Sequence, residues 1–388
     1  MKSLAVIGIG RMGGRHARNI LKGVVKNARL VAVCDTDKSV LDGFCQKYQV
    51  KGYENRKEML EKEKIDGVII ATPHYSHVEI AKDCLDKDID FLIEKPVSVT
   101  TKEARELAKL LKEKPQITGA MMLNQRTNRM YRMAKKLIDS GKIGTIRRVN
   151  FIVTDWYRSQ FYYNMGGWRA SWSGEGGGTL INQCVHQLDI LQWLIGLPKN
   201  IYAVCKTVKR DITTENDVTA IFGYDDFECV FTASTHEIPG TNRLEIAGDN
   251  GKIVIEKFKM RYYLNKYSEP VVNQRAKRDY GNKKDKKTQV YSYGYGLTRL
   301  LYDAIYGQQA RVLNNFVEVL ESKDKSKLIA DIEEGIKGLT IINAINLSAW
   351  QNKSIDIPFD ENEYEKQLEI KIQEEQKIKK EKADIAGK

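Results

Sequence analysis

The sequence predicts a protein of the α/β class with two domains: an N-terminal, doubly wound parallel sheet and a C-terminal α+β domain with a large, mainly antiparallel open sheet. In the first third of the chain, short apolar segments alternate with segments of helical period. The first apolar segment ends in a glycine-rich turn that opens a helix. After about Asn124 the apolar residues recur at every second position, which indicates antiparallel strands. A chain of 388 residues, 42% of them hydrophobic, is long enough for two cores.

We expect the first domain to span residues 1–123. Five short apolar segments predict its strands, at residues 3–7, 30–34, 67–71, 91–93 and 116–120. Segments of helical period predict the helices between them, at residues 15–25, 38–48, 77–86 and 101–112. This alternation predicts a parallel sheet with helices on both faces.

We expect the second domain to span residues 124–361, beginning with a helix at 127–140. Period-two alternation then predicts strands at 146–154, 201–208, 218–224, 227–235, 243–247 and 252–257, with a tight turn at Asn250 and Gly251. Two helices, at 310–320 and 328–350, are expected to close this domain. Residues 362–388 contain seven acidic residues and seven lysines with few large apolar residues, which predicts an exposed helix or a disordered tail.

The net charge of +12 is concentrated in residues 257–287, which we call the basic segment. Eleven lysines and arginines and three acidic residues give this segment eight of the twelve net charges. We interpret it as a loop or insertion that forms a solvated surface or a subunit contact. Since no helix-turn-helix, zinc-finger or RNA-binding pattern accompanies it, we expect no nucleic-acid partner.

The distribution of apolar residues and cysteines bears on where the protein works. No apolar run reaches membrane-spanning length, and the first residues lead directly into a strand-like segment, so we expect a cytoplasmic protein without a membrane partner. The cysteines form no Cys-x-x-Cys pair, and we expect reduced thiols, mostly in the core. They are Cys34, Cys45, Cys84, Cys184, Cys205 and Cys229.

The glycine-rich turn after the first strand has the form Gly8-x-Gly10-x-x-Gly13, with Arg11 and Met12 inside it. A turn of this kind directs backbone N–H groups and a helix N-terminus towards a pyrophosphate. Asp35 closes the second strand, 22 residues after Gly13, which is the spacing of the carboxylate that binds an adenosine ribose. A carboxylate at this position accepts hydrogen bonds from free ribose hydroxyls and repels a 2′-phosphate, which favours NAD over NADP. The alternative for the glycines is a purely structural turn, and the alternative for Asp35 is a cap at the end of the strand.

Two segments supply candidates for proton transfer. Lys95, in Glu94-Lys95-Pro96, follows the fourth predicted strand, whose carboxyl end faces the ligand crevice of a doubly wound sheet. A helix over 180–193 would align Asn182, His186 and Asp189 on one face. His186 is our candidate base, because the ordinary pKa of histidine suits proton transfer near neutrality. The alternatives are a surface ion pair for Lys95 and a core position for His186.

With these residues in place, the sequence resembles the Gfo/Idh/MocA oxidoreductases from residue 1 to about 360. The resemblance depends on Gly8-x-Gly10-x-x-Gly13, Thr72-Pro73-x-x-x-His77, Glu94-Lys95-Pro96, Gly167-Trp168-Arg169, the segment from Gly176 to Asp189, and Glu333-Glu334-Gly335. It implies an N-terminal Rossmann domain, oxidation of sugars, glycosides or inositols, and a dimer, tetramer or larger homo-oligomer built through the C-terminal sheet. It also implies that Lys95 and His186 are the catalytic pair.

The same resemblance implies further cofactor-binding residues and one departure. Those residues are Thr72, Pro73, His74, His77, Glu94, Lys95, Gln125, Trp168 and Arg169. At the position of Asn182, members that oxidise sugars or inositols commonly have aspartate, so proton transfer here would depend on His186 and Lys95. We expect no metal, because the pair His74-x-x-His77 lacks nearby cysteine or acidic ligands. His16 and His236 are expected to be structural.

The leading hypothesis is an NAD-dependent dehydrogenase that acts on a ring hydroxyl, such as the 3-hydroxyl of a hexopyranoside. Predicted substrate-binding residues are Asn182, Tyr157, Arg158, Tyr163 and Trp172, although aromatic residues here could equally pack a subunit interface. A second hypothesis is a glycosidase that uses transient oxidation and elimination. A third is a non-catalytic NAD-binding sensor, which would have no need of a proton-transfer pair.

Overall fold

The protein was analysed as a computed structural model that describes residues 1–294 and 296–386. The chain divides into two compact units. Unit 1 contains residues 1–127, 174–176 and 301–340, and unit 2 contains 128–173, the described part of 177–300, and the chain from 341 onward. This division differs from the expected boundaries, because residues 301–340 belong with the N-terminal sheet and not with the second domain.

Unit 1 is built on a six-stranded, fully parallel sheet with the order β3-β2-β1-β4-β5-β6. Its strands are β1 Lys2–Ile7, β2 Ala28–Cys34, β3 Lys51–Tyr53, β4 Gly67–Ile70, β5 Asp90–Ile93 and β6 Gly119–Met121. Its first helices are α1 Arg11–Leu21, α2 Lys38–Tyr48, α3 Arg56–Lys62, α4 His77–Asp86 and α5 Thr101–Glu113. The predicted doubly wound sheet is therefore confirmed.

Side-chain caps define where several of these helices begin. The carboxylate of Asp37 accepts hydrogen bonds from the backbone N–H groups of Ser39 and Val40 and so caps α2. The Thr100 hydroxyl accepts from the backbone N–H of Glu103 at the start of α5. Two small elements, β3 and α3, were not predicted. Two of the three β3 residues are exposed, so that strand lacks the apolar run that revealed the others.

Unit 2 contains a nine-stranded sheet with the order β14-β13-β12-β11-β7-β10-β9-β8-β15. Its strands are β7 Ile146–Val153, β8 Asn200–Lys206, β9 Asp217–Gly223, β10 Glu228–Ser234, β11 Asn242–Gly248, β12 Gly251–Glu256, β13 Lys259–Asn265, β14 Thr288–Gly294 and β15 Ile355–Asp356. Every pairing is antiparallel except that of β7 with β10. The prediction of a large, mainly antiparallel sheet is confirmed.

Helices from the middle and the end of the chain complete both units. They are α6 Arg129–Asp139, α7 Gln160–Asn164, α8 Thr179–Asn182, α9 Val185–Ile195, α10 Glu269–Gln274, α11 Leu297–Tyr306, α12 Gln309–Ser322, α13 Ile332–Gln351 and α14 Glu361–Ala386. In unit 1, Leu313, Phe316 and Leu320 of α12 join the core formed by Leu4 and Val6 of β1. This packing explains why α12 belongs to unit 1.

The structure modifies three predictions about the second half of the chain. The basic segment is not a single loop, because it includes β13 and α10 and leads into β14. The helix over 180–193 is interrupted between α8 and α9. The described part of the tail forms a helix, one of the two predicted alternatives, but this helix, α14, is not fully exposed, because one face is buried at Tyr364, Leu368 and Glu375.

The nine-stranded sheet has one buried and one exposed face. Phe151 and Phe231 on the buried face contact each other edge to face, with ring centroids 6.1 Å apart. On the other face, Tyr202 of β8 pairs with Ile221 of β9, which in turn pairs with Val230 of β10. These three large apolar side chains are exposed, so they form a continuous apolar row across neighbouring strands.

The cysteines and the helices bear on two further expectations. All six cysteines are free thiols, and four of them are buried, as predicted. Burial raises the pKa of the Cys34 thiol to about 11. Among the described residues, no helix combines the length and the apolar character needed to cross a bilayer.

Candidate active site

The glycine turn of unit 1 lies between β1 and α1. Gly8 has a φ of +82°, and a Cβ atom there would lie 2.6 Å from the carbonyl oxygen of Ala71. A Cβ at Gly13 would lie 1.7 Å from the Gly8 carbonyl oxygen. A Cβ at Gly10 would meet no atom within 4 Å. The fold therefore requires two of the glycines for close packing, whereas Gly10 leaves open space beside the start of α1, where a pyrophosphate would fit.

Asp35 lies beside this turn. Its Oδ2 accepts a hydrogen bond of 2.8 Å from the backbone N–H of Ile9, and its Oδ1 accepts one of 3.0 Å from the backbone N–H of Asp37. The carboxylate is half-exposed at the end of β2, so its remaining lone pairs are accessible. Such an oriented acceptor fits ribose hydroxyls and repels a phosphate.

His77 joins the loops that follow β4 and β5. Its imidazole is fully buried, with Nδ1 2.7 Å from the Pro96 carbonyl oxygen and Nε2 2.8 Å from the Thr72 carbonyl oxygen. Burial lowers the pKa of His77, and the two carbonyl contacts oppose this effect only in part. Because both ring nitrogens face the backbone, the ring positions Thr72, Pro73 and the Lys95-Pro96 segment. Its place near the cofactor stays a prediction.

Glu94 is held by a histidine on α1. His16 Nε2 lies 2.7 Å from Glu94 Oε1, and both side chains are buried. Glu94 Oε2 accepts a hydrogen bond from the backbone N–H of Lys95. The pair thereby links the helix that follows the glycine turn to the Glu94-Lys95-Pro96 motif. Sequence reasoning assigned His16 only a general structural role, because no local pattern connects two residues that are 78 positions apart.

Lys95 occupies an accessible position in a buried stretch. Residues 91–94 and 96–100 are buried, whereas Lys95 is half-exposed directly after β5. A parallel strand delivers the residue after its carboxyl end to the ligand-binding edge of the sheet. Lys95 is therefore the residue of this motif that a ligand can reach.

Two other predicted cofactor residues of unit 1 have different surroundings. His74 is buried, and its Nδ1 lies 2.8 Å from the Glu175 carbonyl oxygen, so this ring ties residues 174–176 to unit 1. Gln125 is half-buried in a short 3-10 helix, Asn124–Thr127. In the same turn Arg126 forms an ion pair of 2.7 Å with Glu334, which anchors the turn.

In unit 2, a buried carboxylate organises the start of α8. Glu215 accepts hydrogen bonds from the backbone N–H groups of Gly178, at 3.0 and 3.1 Å, and of Leu180, at 2.9 Å. A Cβ at Gly178 would lie 2.1 Å from the Glu215 carbonyl oxygen, so this glycine is needed for the approach. Glu215 was not predicted, because the contact brings together residues more than thirty positions apart.

Asn182 and His186 lie on either side of the interruption between α8 and α9. Both side chains are half-exposed, whereas residues 183–185 and 187–191 are buried. Asp189, expected on the same face, is buried and accepts a hydrogen bond of 3.0 Å from Gln192. The prediction of one continuous helix was wrong. The structure nevertheless leaves Asn182 and His186 accessible, the residues that we predicted to bind substrate and to transfer a proton.

Aromatic rings and guanidinium groups alternate near this interruption. The central carbon of Arg169 lies 4.8 Å from the ring centroid of Trp168 and 4.9 Å from that of Tyr162. The central carbon of Arg158 lies 4.7 Å from the Tyr162 centroid and 5.4 Å from the Trp156 centroid. We call Trp156, Arg158, Tyr162, Trp168 and Arg169 the arginine–aromatic cluster.

The three aromatic side chains predicted to bind substrate differ in accessibility. Tyr157 is 42% exposed. Tyr163 is buried, and its hydroxyl lies 2.8 Å from the hydroxyl of Thr235. Trp172 is 5% exposed and donates its indole N–H to the Thr213 carbonyl oxygen. Trp172 also packs edge to face on Trp350 within unit 2, and its role in substrate binding stays a prediction.

Two family models match consecutive parts of the chain. Residues 2–121 match an oxidoreductase family with an NAD-binding Rossmann fold, and residues 131–254 match the GFO/IDH/MocA C-terminal domain. Together the two matches cover more than half of the chain. The first unit thus contains an NAD-binding domain, in agreement with its glycine turn and Asp35.

Curated relatives are similar to part of this chain. The scyllo-inositol 2-dehydrogenase (NAD+) of Bacillus subtilis is 29% identical over 50% of this chain and 53% of its own length. The glucose-6-phosphate 3-dehydrogenase of the same organism is 26% identical over 60% of this chain and 64% of its own length. The chain thus spans about half to two thirds of the length of these relatives.

Solved structures share the fold over nearly the whole chain. The WlbA dehydrogenase of Bordetella pertussis, in complex with NADH and UDP-GlcNAcA, has a TM-score of 0.77 and 22% identity, with 92% of this chain and 98% of that chain covered. A levoglucosan dehydrogenase, in complex with NADH and levoglucosan, has a TM-score of 0.74 and 19% identity, with 92% and 99% covered.

Proposed function

This chain belongs to the Gfo/Idh/MocA oxidoreductase family, and from that premise we propose that it is an NAD-dependent dehydrogenase acting on a secondary ring hydroxyl of a sugar, glycoside or cyclitol. The observation on which the proposal depends is that Lys95 and His186 are accessible while the residues next to them in sequence are buried. A lysine and a histidine that stay accessible in otherwise buried segments are suited to proton transfer, not to packing.

The residues of unit 1 would hold the cofactor. The backbone of the glycine turn and the start of α1 would bind the pyrophosphate, and Asp35 would accept hydrogen bonds from the adenosine ribose. Bound NAD+ supplies the acceptor for the hydride. His16 and Glu94 would fix the backbone of Lys95, and His77 would fix the loops on both sides of it.

The proton of the hydroxyl would go to the protein. In the oxidation, the carbinol C–H bond breaks with its electron pair and the O–H proton passes to a base, so that a carbonyl forms. His186 is the proposed base, because its ordinary pKa lies near neutrality. The ammonium of Lys95 would hydrogen-bond the hydroxyl oxygen and favour its ionisation. Asn182 can donate or accept a hydrogen bond to the substrate but takes no proton.

The named substrates of related proteins support a polyhydroxylated ring. Two similar proteins are named for the oxidation of an inositol and of glucose 6-phosphate, and two structures of the same fold contain a sugar derivative together with NADH. All of these compounds offer secondary hydroxyls on a ring. We therefore place the substrate in this class.

The experiment that tests the function is a substrate screen with the purified full chain and NAD. Inositols, free hexoses, hexose phosphates and methyl hexosides would be offered in turn, with NADH measured by absorbance and the keto product by mass spectrometry. The proposal expects stoichiometric NADH and keto product from at least one compound. Hydrolysis of a hexoside without net NADH would indicate transient oxidation instead. NAD binding without any hydride transfer across the panel would indicate a sensor.

We further propose that the protein is a homo-oligomer through the exposed face of the nine-stranded sheet. Tyr202, Ile221 and Val230 are neighbours on this face and remain 37–47% exposed. A continuous apolar row on one face of an antiparallel sheet is typical of a surface that another protein covers. An isologous contact between two copies would bury the row on both.

A further inference from the structure

We propose that the arginine–aromatic cluster, together with Arg210, binds an anionic group on the substrate, so that the substrate is a phosphorylated or carboxylated sugar. This inference rests on the proposed function, because it names the substrate class of that same site. Three guanidinium groups of unit 2 would bind this anion. They belong to Arg158, Arg169 and Arg210, which are all half-buried.

The partners that hold these guanidinium groups are uncharged. Arg158 and Arg169 both contact the ring of Tyr162, and Nη1 of Arg169 donates a hydrogen bond of 3.0 Å to the Tyr162 hydroxyl. Nε of Arg210 donates one of 2.8 Å to the carbonyl oxygen of Arg158. Arg210 also lies 5.4 Å from the ring centroid of Tyr157.

In the described part of the chain, none of the three guanidinium groups has a carboxylate within 4.0 Å. Other arginines of unit 2 do: Arg243 pairs with Glu245 and Glu256. Arginine stays charged at all accessible pH values, so these three positive charges cannot be removed by deprotonation. Cation–π contacts stabilise these cations but leave their charge without a carboxylate to neutralise it.

Arg158 has an additional unsatisfied group. Its Nη1 donates to the Tyr157 carbonyl oxygen at 3.0 Å, but its Nε is buried and has no hydrogen-bond partner among the described residues. A charged donor that is removed from water without an acceptor is costly. A phosphate or carboxylate is the ligand that best neutralises such a group, because it accepts two parallel hydrogen bonds from a guanidinium.

Backbone and side-chain contacts fix this cluster beside the interruption between α8 and α9. The Tyr162 hydroxyl accepts a hydrogen bond of 3.2 Å from Nε2 of Gln183, the residue that follows Asn182. The backbone N–H of Arg158 donates to the Thr235 carbonyl oxygen at 2.8 Å. Tyr162, whose ring Arg158 and Arg169 both contact, is thus held against the interruption that contains Gln183. A ligand whose anionic group binds the cluster would therefore lie beside this interruption.

The test compares neutral and anionic forms of one sugar. Binding of glucose, glucose 6-phosphate, glucuronate and inorganic phosphate to the NAD-loaded full chain would be measured by calorimetry, and kinetics would be measured for every compound that is oxidised. We expect at least one anionic sugar to bind about tenfold more tightly than glucose, and the two anionic sugars to distinguish phosphate from carboxylate recognition. Equal affinity for the neutral and both anionic sugars would overturn the proposal, whether or not any of them is oxidised.

Variants assign the effect to the cluster. Arg158→Gln should weaken the binding of the favoured anionic sugar about tenfold or more, the factor expected for one charged hydrogen bond, and leave the affinity for glucose unchanged. Arg158→Lys should restore part of the lost affinity, because it keeps the positive charge. Arg132→Gln removes an exposed charge from α6 and serves as the control. A melting temperature close to that of the parent protein would show that each variant is folded. If Arg158→Gln weakens NAD instead of the sugar, the cluster serves the cofactor and the proposal fails.

Discussion

Gly10 and Gly13 differ in what surrounds their missing Cβ atoms, although both belong to the same turn. At Gly13 a methyl group would collide with the Gly8 carbonyl oxygen, whereas at Gly10 it would point into open space. Substitution at Gly13 should therefore affect folding, and substitution at Gly10 should affect cofactor binding. Only Gly13 is explained by packing within the protein.

Alanine at each position makes this separation testable. Gly10→Ala should leave the melting temperature within a few degrees of the parent value and weaken NAD about tenfold or more, because the methyl group enters the space of the pyrophosphate. Gly13→Ala should lower the melting temperature strongly, because the Cβ contact of 1.7 Å forces the backbone to move. Thermal melting and NAD titration provide the two readouts. Normal NAD affinity in Gly10→Ala would contradict the placement of the pyrophosphate.

His77 gives unit 1 a predictable response to pH. Because burial lowers the pKa of this imidazole in the folded state, the unfolded chain binds a proton near pH 6.5 that the folded chain does not. The free energy of unfolding should therefore decrease as the pH falls from 7 to 5. Urea unfolding at both pH values measures this change, which should be smaller in His77→Gln. An equal pH dependence in that variant would assign the effect to other groups.

At the scale of elements, α14 is more than a charged tail. On its buried face, Tyr364 stacks on Trp350 with ring centroids 5.4 Å apart, and Glu375 accepts a hydrogen bond of 2.9 Å from the backbone N–H of Ser173. Glu375 also forms an ion pair of 2.6 Å with Lys379. The helix is thus attached to the segment that precedes the glycine run of residues 176–178.

Neighbouring glutamates of α14 provide a matched pair of variants. Glu375 is 1% exposed, whereas the side chain of Glu374 is 55% exposed. Glu375→Ala should lower the free energy of unfolding by about 1–3 kcal/mol, because it leaves the Ser173 N–H without its charged acceptor. Glu374→Ala should change it by less than about 0.5 kcal/mol. Urea denaturation measures both, and similar values for the two variants would contradict the importance of the Ser173 contact.

The accuracy of the sequence predictions varied with the kind of interaction that forms each element. Helices α2 and α4 were predicted with their observed bounds, because their apolar periodicity and their flanking residues are local signals. The contact of Glu215 with the start of α8 was missed, because it comes from a distant part of the chain. β13, β14 and the buried face of α14 were hidden by their high content of charged and polar residues.

The candidate site shows the same limit. The glycine turn, Asp35, Lys95 and His186 were identified from motifs whose spacing is visible in one sequence. The contact of His16 with Glu94 and the position of His77 between two carbonyl oxygens were not, because these contacts depend on how separate strands and helices pack. The packing of Trp172 on Trp350 was likewise not predicted, because aromatic composition alone does not distinguish a binding surface from a core.

At the scale of the whole molecule, self-association is expected from the exposed sheet face. Ile221→Lys places a charge in the middle of the apolar row and should shift the protein towards the monomer, because a like charge would meet its symmetry mate. Leu110→Lys on α5 is the control, since Leu110 is 37% exposed and Ile221 is 47% exposed. Light scattering of the two variants and the parent measures the mass. An unchanged mass for Ile221→Lys would exclude this face as the interface.

The central claim is that Lys95 and His186 handle the proton of a hydroxyl while the glycine turn holds NAD. The most direct test measures turnover and NAD affinity in Lys95→Ala and His186→Ala, with the best substrate from the screen and with Lys109→Ala, an exposed lysine of α5, as the control. We predict that each of the first two variants loses about a hundredfold or more of kcat, with NAD affinity within about twofold of the parent, because each removes a proton-transfer group while the glycine turn and Asp35, which would hold the pyrophosphate and the ribose, are unchanged. Near-normal turnover in both variants would contradict the account.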